Sequence, residues 1–420
     1  MVKKIGKPKR EVTRRQLARW QREEKRQRII RALGIFTILA VLGVMIGGWY
    51  INLYRPLHQT IIRVNDTKFD MNYYVSMLKY YAIGQSSEYA YALTDEVAKV
   101  IQRNELIRQG AEKLGISVSD ELVNNELKSR NPPVDSDYRD LVRTEMIVKK
   151  LLDEHFGPQV PATTEQRNIL AMLLESESQA IEVRNRLEVG EDFSTLAGEL
   201  SLESISSTEN GTLGWQSKDV LSELLGTSVP GDYAFSAEVG VLSQPVHDAE
   251  VIKNVGYWIV KVLERELDPE EAQIQVILLA NEEDALQVKS RLDAGEDFAG
   301  LARELSLHEA SKENGGDSGW LTSDAMGTAL GEFVFNTEIE LNTLGGPISD
   351  EAAWTKGGYW LLKVIDSDDN REIEEGDRDL LKNKALNEWV SSLWDNPENK
   401  VESYLDDEKK ELAVERVIAG

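Results

Sequence analysis

The sequence writes one unit twice. VGEDFSTLAGELS at 189–201 returns as AGEDFAGLARELS at 294–306, and each copy is followed by a near-identical apolar stretch, GYWIVKV at 256–262 and GYWLLKV at 358–364. A chain of 420 residues is longer than a single core usually grows, so several domains are expected. The repeats run over 165–266 and 270–366, each about 100 residues, long enough for a core of its own. Two copies are too few for a solenoid, in which each unit buries its apolar face only against neighbours. The expectation is two tandem domains.

Inside each copy the apolar period alternates between strand and helix. In the second, IQVILLA reads as a strand and NEEDALQVKSRLDAG as a helix that stops at Gly295. Asp297 caps FAGLARELS, NGGDSGW is a tight turn, and GYWLLKV alternates as a closing strand running from edge to core. The first copy repeats the order with AMLLESESQAIEVRNRLEVG, DFSTLAGELS, NGTLGW and GYWIVKV. Interleaved strands and helices of this length describe a small α/β unit.

The flanks differ in character. Residues 1–31 hold 13 Lys/Arg against 3 Asp/Glu, a net charge of +10, while the other 389 residues carry −35. An acidic body repels phosphate backbones and argues against nucleic-acid binding. Residues 32–54 contain no charge over 23 positions, with Trp49 and Tyr50 near the far end. That length spans a bilayer, and the basic flank ahead of it places residues 1–31 in the cytoplasm and everything after residue 55 outside. A cleaved signal peptide is the rival reading, but the basic lead is long and no Ala-x-Ala-like site follows.

Cysteine is absent and only four histidines exist, His58, His155, His247 and His308, at no ligand spacing. Disulfides, thiolate chemistry and a zinc site are therefore not expected, nor is any cofactor, since no phosphate-cradling Lys-Ser/Thr follows the Gly-rich turns.

From 58 to 160 a strand–turn, TIIRVNDTKFD with Asn65-Asp66 at the bend, leads into three helices. Gly115 ends the first, and Ser119 or Asp120 caps the second. Tyrosines 73, 74, 80, 81, 89 and 91 read as packing residues or as an aromatic peptide-binding surface. The acidic tail, 371–420, is helical, with Trp389, Leu393 and Trp394 on one face suited to packing against another domain.

The ordered blocks GEDF..LA.ELS, NGG..GW and GY.I.KV resemble the parvulin (PpiC-type) peptidyl-prolyl isomerase domain, twice over. The helical region, with its VND.KF entry, is similar to the N-terminal chaperone domain of SurA- and PrsA-type foldases. The resemblance implies an α+β protein: a transmembrane helix, a helical SurA-N-like domain, two parvulin-like domains and a helical tail. It implies a membrane-anchored, extracytoplasmic foldase whose partners are unfolded or proline-containing exported polypeptides.

The resemblance also assigns residues. Met326, Leu330 and Phe335 stand where parvulins present Met and Phe to the proline ring, with Leu221 and Phe235 in the first copy. Parvulins carry a buried histidine in the first and last strands. Here those positions hold Ala171 and Val276, and Trp258 and Trp360. Glu203 and His308 stand at the usual Asp/Cys position, and Asp248 and Asp350 at the usual Thr. Losing both histidines together avoids an orphaned buried partner, so the fold should survive while the catalytic electrostatics weaken. Isomerase activity and a purely holding chaperone role therefore both remain open, as does a minor reading in which the anchor and tail make the chain a scaffold subunit. His308, Asp350, Glu203 and Asp248 are the polar candidates; the two tryptophans join the pocket wall.

Overall fold

The computed structural model describes residues 41–45, 47–48, 50–132, 135–267 and 270–419. The expected membrane span over 32–54 lies partly outside them, and among the described residues no helix is long and apolar enough to cross a membrane. The chain divides into two compact units, residues 1–155 with 386–420, and residues 156–385.

In the first unit, strands β1 (Thr60–Val64) and β2 (Thr67–Asp70) form the expected hairpin, with Asn65 at φ +54° in its turn. Asparagine tolerates that left-handed conformation better than most residues. The same side chain also ties in the tail: its Nδ2 donates to Gln109 (2.6 Å) and Asn399 (3.1 Å), and its Oδ1 accepts from the Lys400 amide (2.8 Å). Strand β9 (Val401–Ser403) then pairs with β1, giving the order β2-β1-β9. Helix α1 (Met71–Ala82) is capped by Asp70, α2 (Ser87–Ala92) by Ser86, and α4 (Asp120–Ser129) by Ser119. Between them, α3 (Thr94–Lys113) buries Val97, Ala98, Ile101 and Leu106 in a core shared with Ile61, Ile62, Tyr74, Ala413 and Val417. Gly110 is required here, because a Cβ would lie 2.7 Å from both Leu393 and Trp389. The tail stripe thus packs against the helical region. Of the six tyrosines, Tyr74 is buried and donates to the Thr94 carbonyl at 2.7 Å, while Tyr80, Tyr81, Tyr89 and Tyr91 are exposed.

The second unit holds one antiparallel sheet of six strands, β4-β3-β8-β5-β6-β7. Here β3 is Thr163–Leu174, β4 Thr212–Gln216, β5 Val246–Leu267, β6 Glu270–Leu279, β7 Asp317–Thr322 and β8 Leu344–Glu372. The helices of both repeats form as the sequence predicts. Ser176 caps 177–188, Asp192 caps 193–200, Asn281 caps 282–293 and Asp297 caps 298–305.

The closing strands do not stay at home. GYWLLKV of the second repeat pairs with β3 of the first, Leu173 opposite Trp360 and Ile169 opposite Val364. GYWIVKV of the first repeat pairs with β6 of the second, Trp258 opposite Leu278 and Val260 opposite Val276. Each four-stranded fold is thus completed by the other repeat's last strand. The exchange needs long strands, and β5 has 22 residues and β8 has 29, against a usual five or six. They cross with Val246 opposite Trp360, Lys253 opposite Thr355 and Trp258 opposite Ile348. Lys253 and Thr355 are repeat counterparts, 102 positions apart like Trp258 and Trp360, so a local twofold passes between them. Lys253 is buried there and donates to the Gly357 carbonyl, while Thr355 Oγ1 donates to that of Val255.

The closing strands accordingly sit in the middle of the sheet rather than at an edge. Each repeat is not a self-contained core. The apolar cluster around β3 includes Trp360, Leu362 and Val364, and the cluster around β6 includes Trp258, Val260 and Val262.

Candidate functional site

In both folds the loop after the ELS helix is pinned to the first strand in the same way. Ser201 Oγ accepts from the Leu173 amide (3.0 Å) and the Leu202 amide donates to the Leu173 carbonyl (2.9 Å). Ser306 and Leu307 do the same to Leu278, at 3.2 and 2.8 Å. The residue that follows, Glu203 or His308, is thereby held over the sheet.

The two positions then part in role. Glu203 accepts from the amides of Ile205 (2.8 Å) and Ser206 (2.6 Å), capping the short helix 204–208. His308 makes no such cap. Its Nδ1 lies 2.7 Å from Ser311 Oγ, and its ring stands edge-on to that of Trp258, centroids 5.3 Å apart. Burial lowers the His308 pKa below the usual imidazole value, which favours the neutral ring.

Around His308 opens an apolar cavity of about 460 Å³. Ile274, Val276 and Leu278 line it from β6, Trp258 from β5, and Met326 and Leu330 from the helices 323–326 and 328–334. Leu321 and Trp354 complete its wall. A second, more polar cavity of about 820 Å³ shares His308, Ala310, Ser318, Leu321 and Ala325, and adds Arg303, Asn314 and Asp317. Asp350 does not face a reacting group directly. Its carboxylate accepts from Trp258 Nε1 at 3.0 Å and from the Ala352 amide at 2.9 Å, fixing the indole that forms part of the wall.

The sequence assigned Trp258 to the first repeat's pocket and Trp360 to the second's; strand exchange reverses both. Trp258 joins His308, Met326, Leu330 and Asp350. Trp360, with no exposed surface, sits with Leu221 in the core of the first fold, where the half-buried Phe235 packs against them. Asp248 is buried there and accepts from Trp360 Nε1 (3.1 Å), Thr227 Oγ1 (2.7 Å) and the amides of Glu250 and Val251 (3.1 Å each). Phe335 packs against the second core but lines a separate cavity of about 380 Å³ with Ser323, Thr328 and Glu332. Sequence reasoning missed Ser311, Leu307 and Trp354. Ser311 stands three residues after His308, a spacing at which helical side chains meet, and was the one open to discovery from the sequence.

The family model for the PPIC-type PPIASE domain matches residues 163–264, and a second model of the same description matches 257–367. Together they cover about half of the chain. A parvulin-like PPIase of Rickettsia bellii is 27% identical over 226 residues, covering 52% of this chain and 76% of that protein. The foldase protein PrsA of Oceanobacillus iheyensis is 31% identical over 189 residues, covering 45% of this chain and 54% of its own length. Among solved structures, the peptidylprolyl isomerase PrsA of Bacillus cereus aligns over 86% of this chain and 99% of its own, at 12% identity and a TM-score of 0.29.

Proposed function

The chain belongs to the PpiC-type peptidyl-prolyl isomerase family, with two such domains, and on that premise we propose that it is a PrsA-like foldase whose working groove lies in the second fold. The observation that carries this reading is the open cavity where Trp258, Met326 and Leu330 surround a space beside His308.

Prolyl rotation is slow because twisting the amide destroys its resonance, a barrier of about 18–20 kcal/mol. An apolar pocket that holds the ring, with a polar group placed to favour the twisted amide, lowers it without a nucleophile or a metal. In this reading Met326, Leu330 and Trp258 hold the ring and the neutral His308 supplies the polar contact, oriented by Ser311. Asp350 is a positioning residue for Trp258, and Phe335 supports the wall from behind. The first fold, with Glu203 used as a cap and Asp248 saturated by hydrogen bonds, serves as the strand-exchange partner.

The domain layout follows the sequence. Residues 1–31 are a cytoplasmic basic segment, 32–54 the membrane anchor and 58–160 a SurA-N-like chaperone domain. The repeats at 165–266 and 270–366 and the tail at 371–420 complete an extracytoplasmic body that receives exported polypeptides. A second reading, a holding chaperone without catalysis, is favoured by the replacement of the histidine pair in each fold by an aliphatic residue, Ala171 or Val276, and a tryptophan whose indole is held by an aspartate. Exchange NMR on a proline tetrapeptide with the full chain decides between them. Faster cis–trans exchange that Met326→Ala abolishes supports catalysis in the second fold; peptide binding at buffer rates selects the holding role; no binding at all ends both.

A further inference from the structure

Trp354 has no place in the function so far. It lies where β5 and β8 cross between the two folds, paired through the backbone with Asn254. Its neighbours Ala353 and Thr355 are buried, while Trp354 itself is 69% exposed. An indole left in water is unusual between two buried neighbours on a paired strand, and rigidly mounted aromatic side chains are what binding surfaces use as anchors. Trp354 also lines the same cavity as Trp258, Met326 and Leu330. At about 460 Å³ that cavity has room for more than a pyrrolidine ring. The repeat counterpart of Trp354, 102 positions earlier, is Ile252, also exposed, so only the second fold has an aromatic at this point.

We propose that Trp354 is a second recognition point of this groove, taking a large apolar or aromatic side chain that flanks the proline of an extended client chain. This rests on the reading that the groove binds proline-containing chain. The occupant follows from the continuity of the wall: a ring seated between Met326 and Trp258 brings the adjoining side chain along the surface that Trp354 ends. The site exists because of strand exchange, which brings Trp258 of the first repeat into the second fold, where β8 leaves it past Trp354.

Fluorescence anisotropy of labelled peptides on the full chain tests it, using Ala-Ala-Pro-Ala and versions with Phe immediately before or after the proline. One of the Phe peptides is expected to bind about three- to tenfold tighter than the all-alanine peptide. Trp354→Ala should reduce that preference to within about twofold, Trp354→Phe should retain most of it, and Ile252→Ala should leave it intact. Equal binding of all three peptides, or a preference that survives Trp354→Ala, overturns the proposal while the groove reading stands. Binding of none of them overturns both.

Discussion

Trp258 and Trp360 occupy the same position of a repeated motif, and each donates its indole N–H to a repeated aspartate, at 3.0 and 3.1 Å. One lines an open cavity and the other has no exposed surface. The difference lies in what surrounds them. From Trp215 to Phe235 the first repeat takes 20 positions, and from Trp320 to Phe335 the second takes 15. The longer segment forms the eight-residue helix 218–225, whose Leu221 and Leu225 pack in the core with Trp360. In its place the shorter one has only a four-residue turn, 323–326, ending at Met326, ahead of the helix 328–334. Five residues thus separate a filled core from an open groove, and duplicated sequence does not imply duplicated function.

The largest effect expected is all-or-none. The chain has no cysteine, so an introduced pair reports strand partnership cleanly. Leu170 faces Lys363 across the β3–β8 ladder, at a separation a disulfide can bridge. L170C with K363C should cross-link within one chain, read by mass after alkylation. L170C with K261C, the pairing that a non-exchanged first repeat would make, should not. The reverse result would return each closing strand to its own repeat and dissolve the comparison.

The two tryptophans should separate next. Trp360→Ala empties a fully buried site and leaves Asp248 short of a donor, costing about 3–5 kcal/mol in chemical denaturation. Trp258→Ala should cost less, because that ring already borders open space, yet it should weaken proline-peptide binding more. Equal costs would mean that the second groove is as closed as the first.

Met326→Ala is expected to weaken peptide binding by about tenfold, the factor that 1.4 kcal/mol of lost apolar contact corresponds to. Leu221→Ala should instead lose about 2–5 kcal/mol of stability with no change in peptide affinity. Isothermal titration beside urea melts would show both. An affinity loss at Leu221 would give the first fold a groove of its own.

The smallest effect is a pH dependence at the crossover. Burial pulls the Lys253 ammonium down to about 8, against the opposing attraction of Glu175 and Asp284. An unfolded lysine titrates near 10.4. Between these values the unfolded chain binds the extra proton, so this residue makes stability rise with pH through that window. Lys253→Met should remove the rise. Urea midpoints at pH 7.5, 8.5 and 9.5 that run parallel for the two proteins would contradict it.

Much of the fold was legible in advance because it is set locally. The caps at Asp192 and Asp297, the turn at Asn65 and the helices between them depend on neighbours within a few residues. The candidate site was legible in part. Met326, Leu330 and His308 follow from motif order, but Trp354 does not. Counting in twos along the strand puts Trp354 on the same face as Trp360. Gly357, at φ +89°, shifts the phase between them, so one indole faces solvent and the other the core.

By itself, then, the sequence determined that there are two copies of one α/β unit, with their helices, caps and closing strands. Which closing strand completes which sheet was decided only by the tertiary structure. GYWIVKV and GYWLLKV present almost the same apolar faces, so either fits either sheet and no local preference tells them apart. What decides is the link ahead of them. AEVIKNV and EAAWTKG can turn back or run straight, and pairing them with each other across the twofold satisfies their backbone only in the extended, exchanged arrangement.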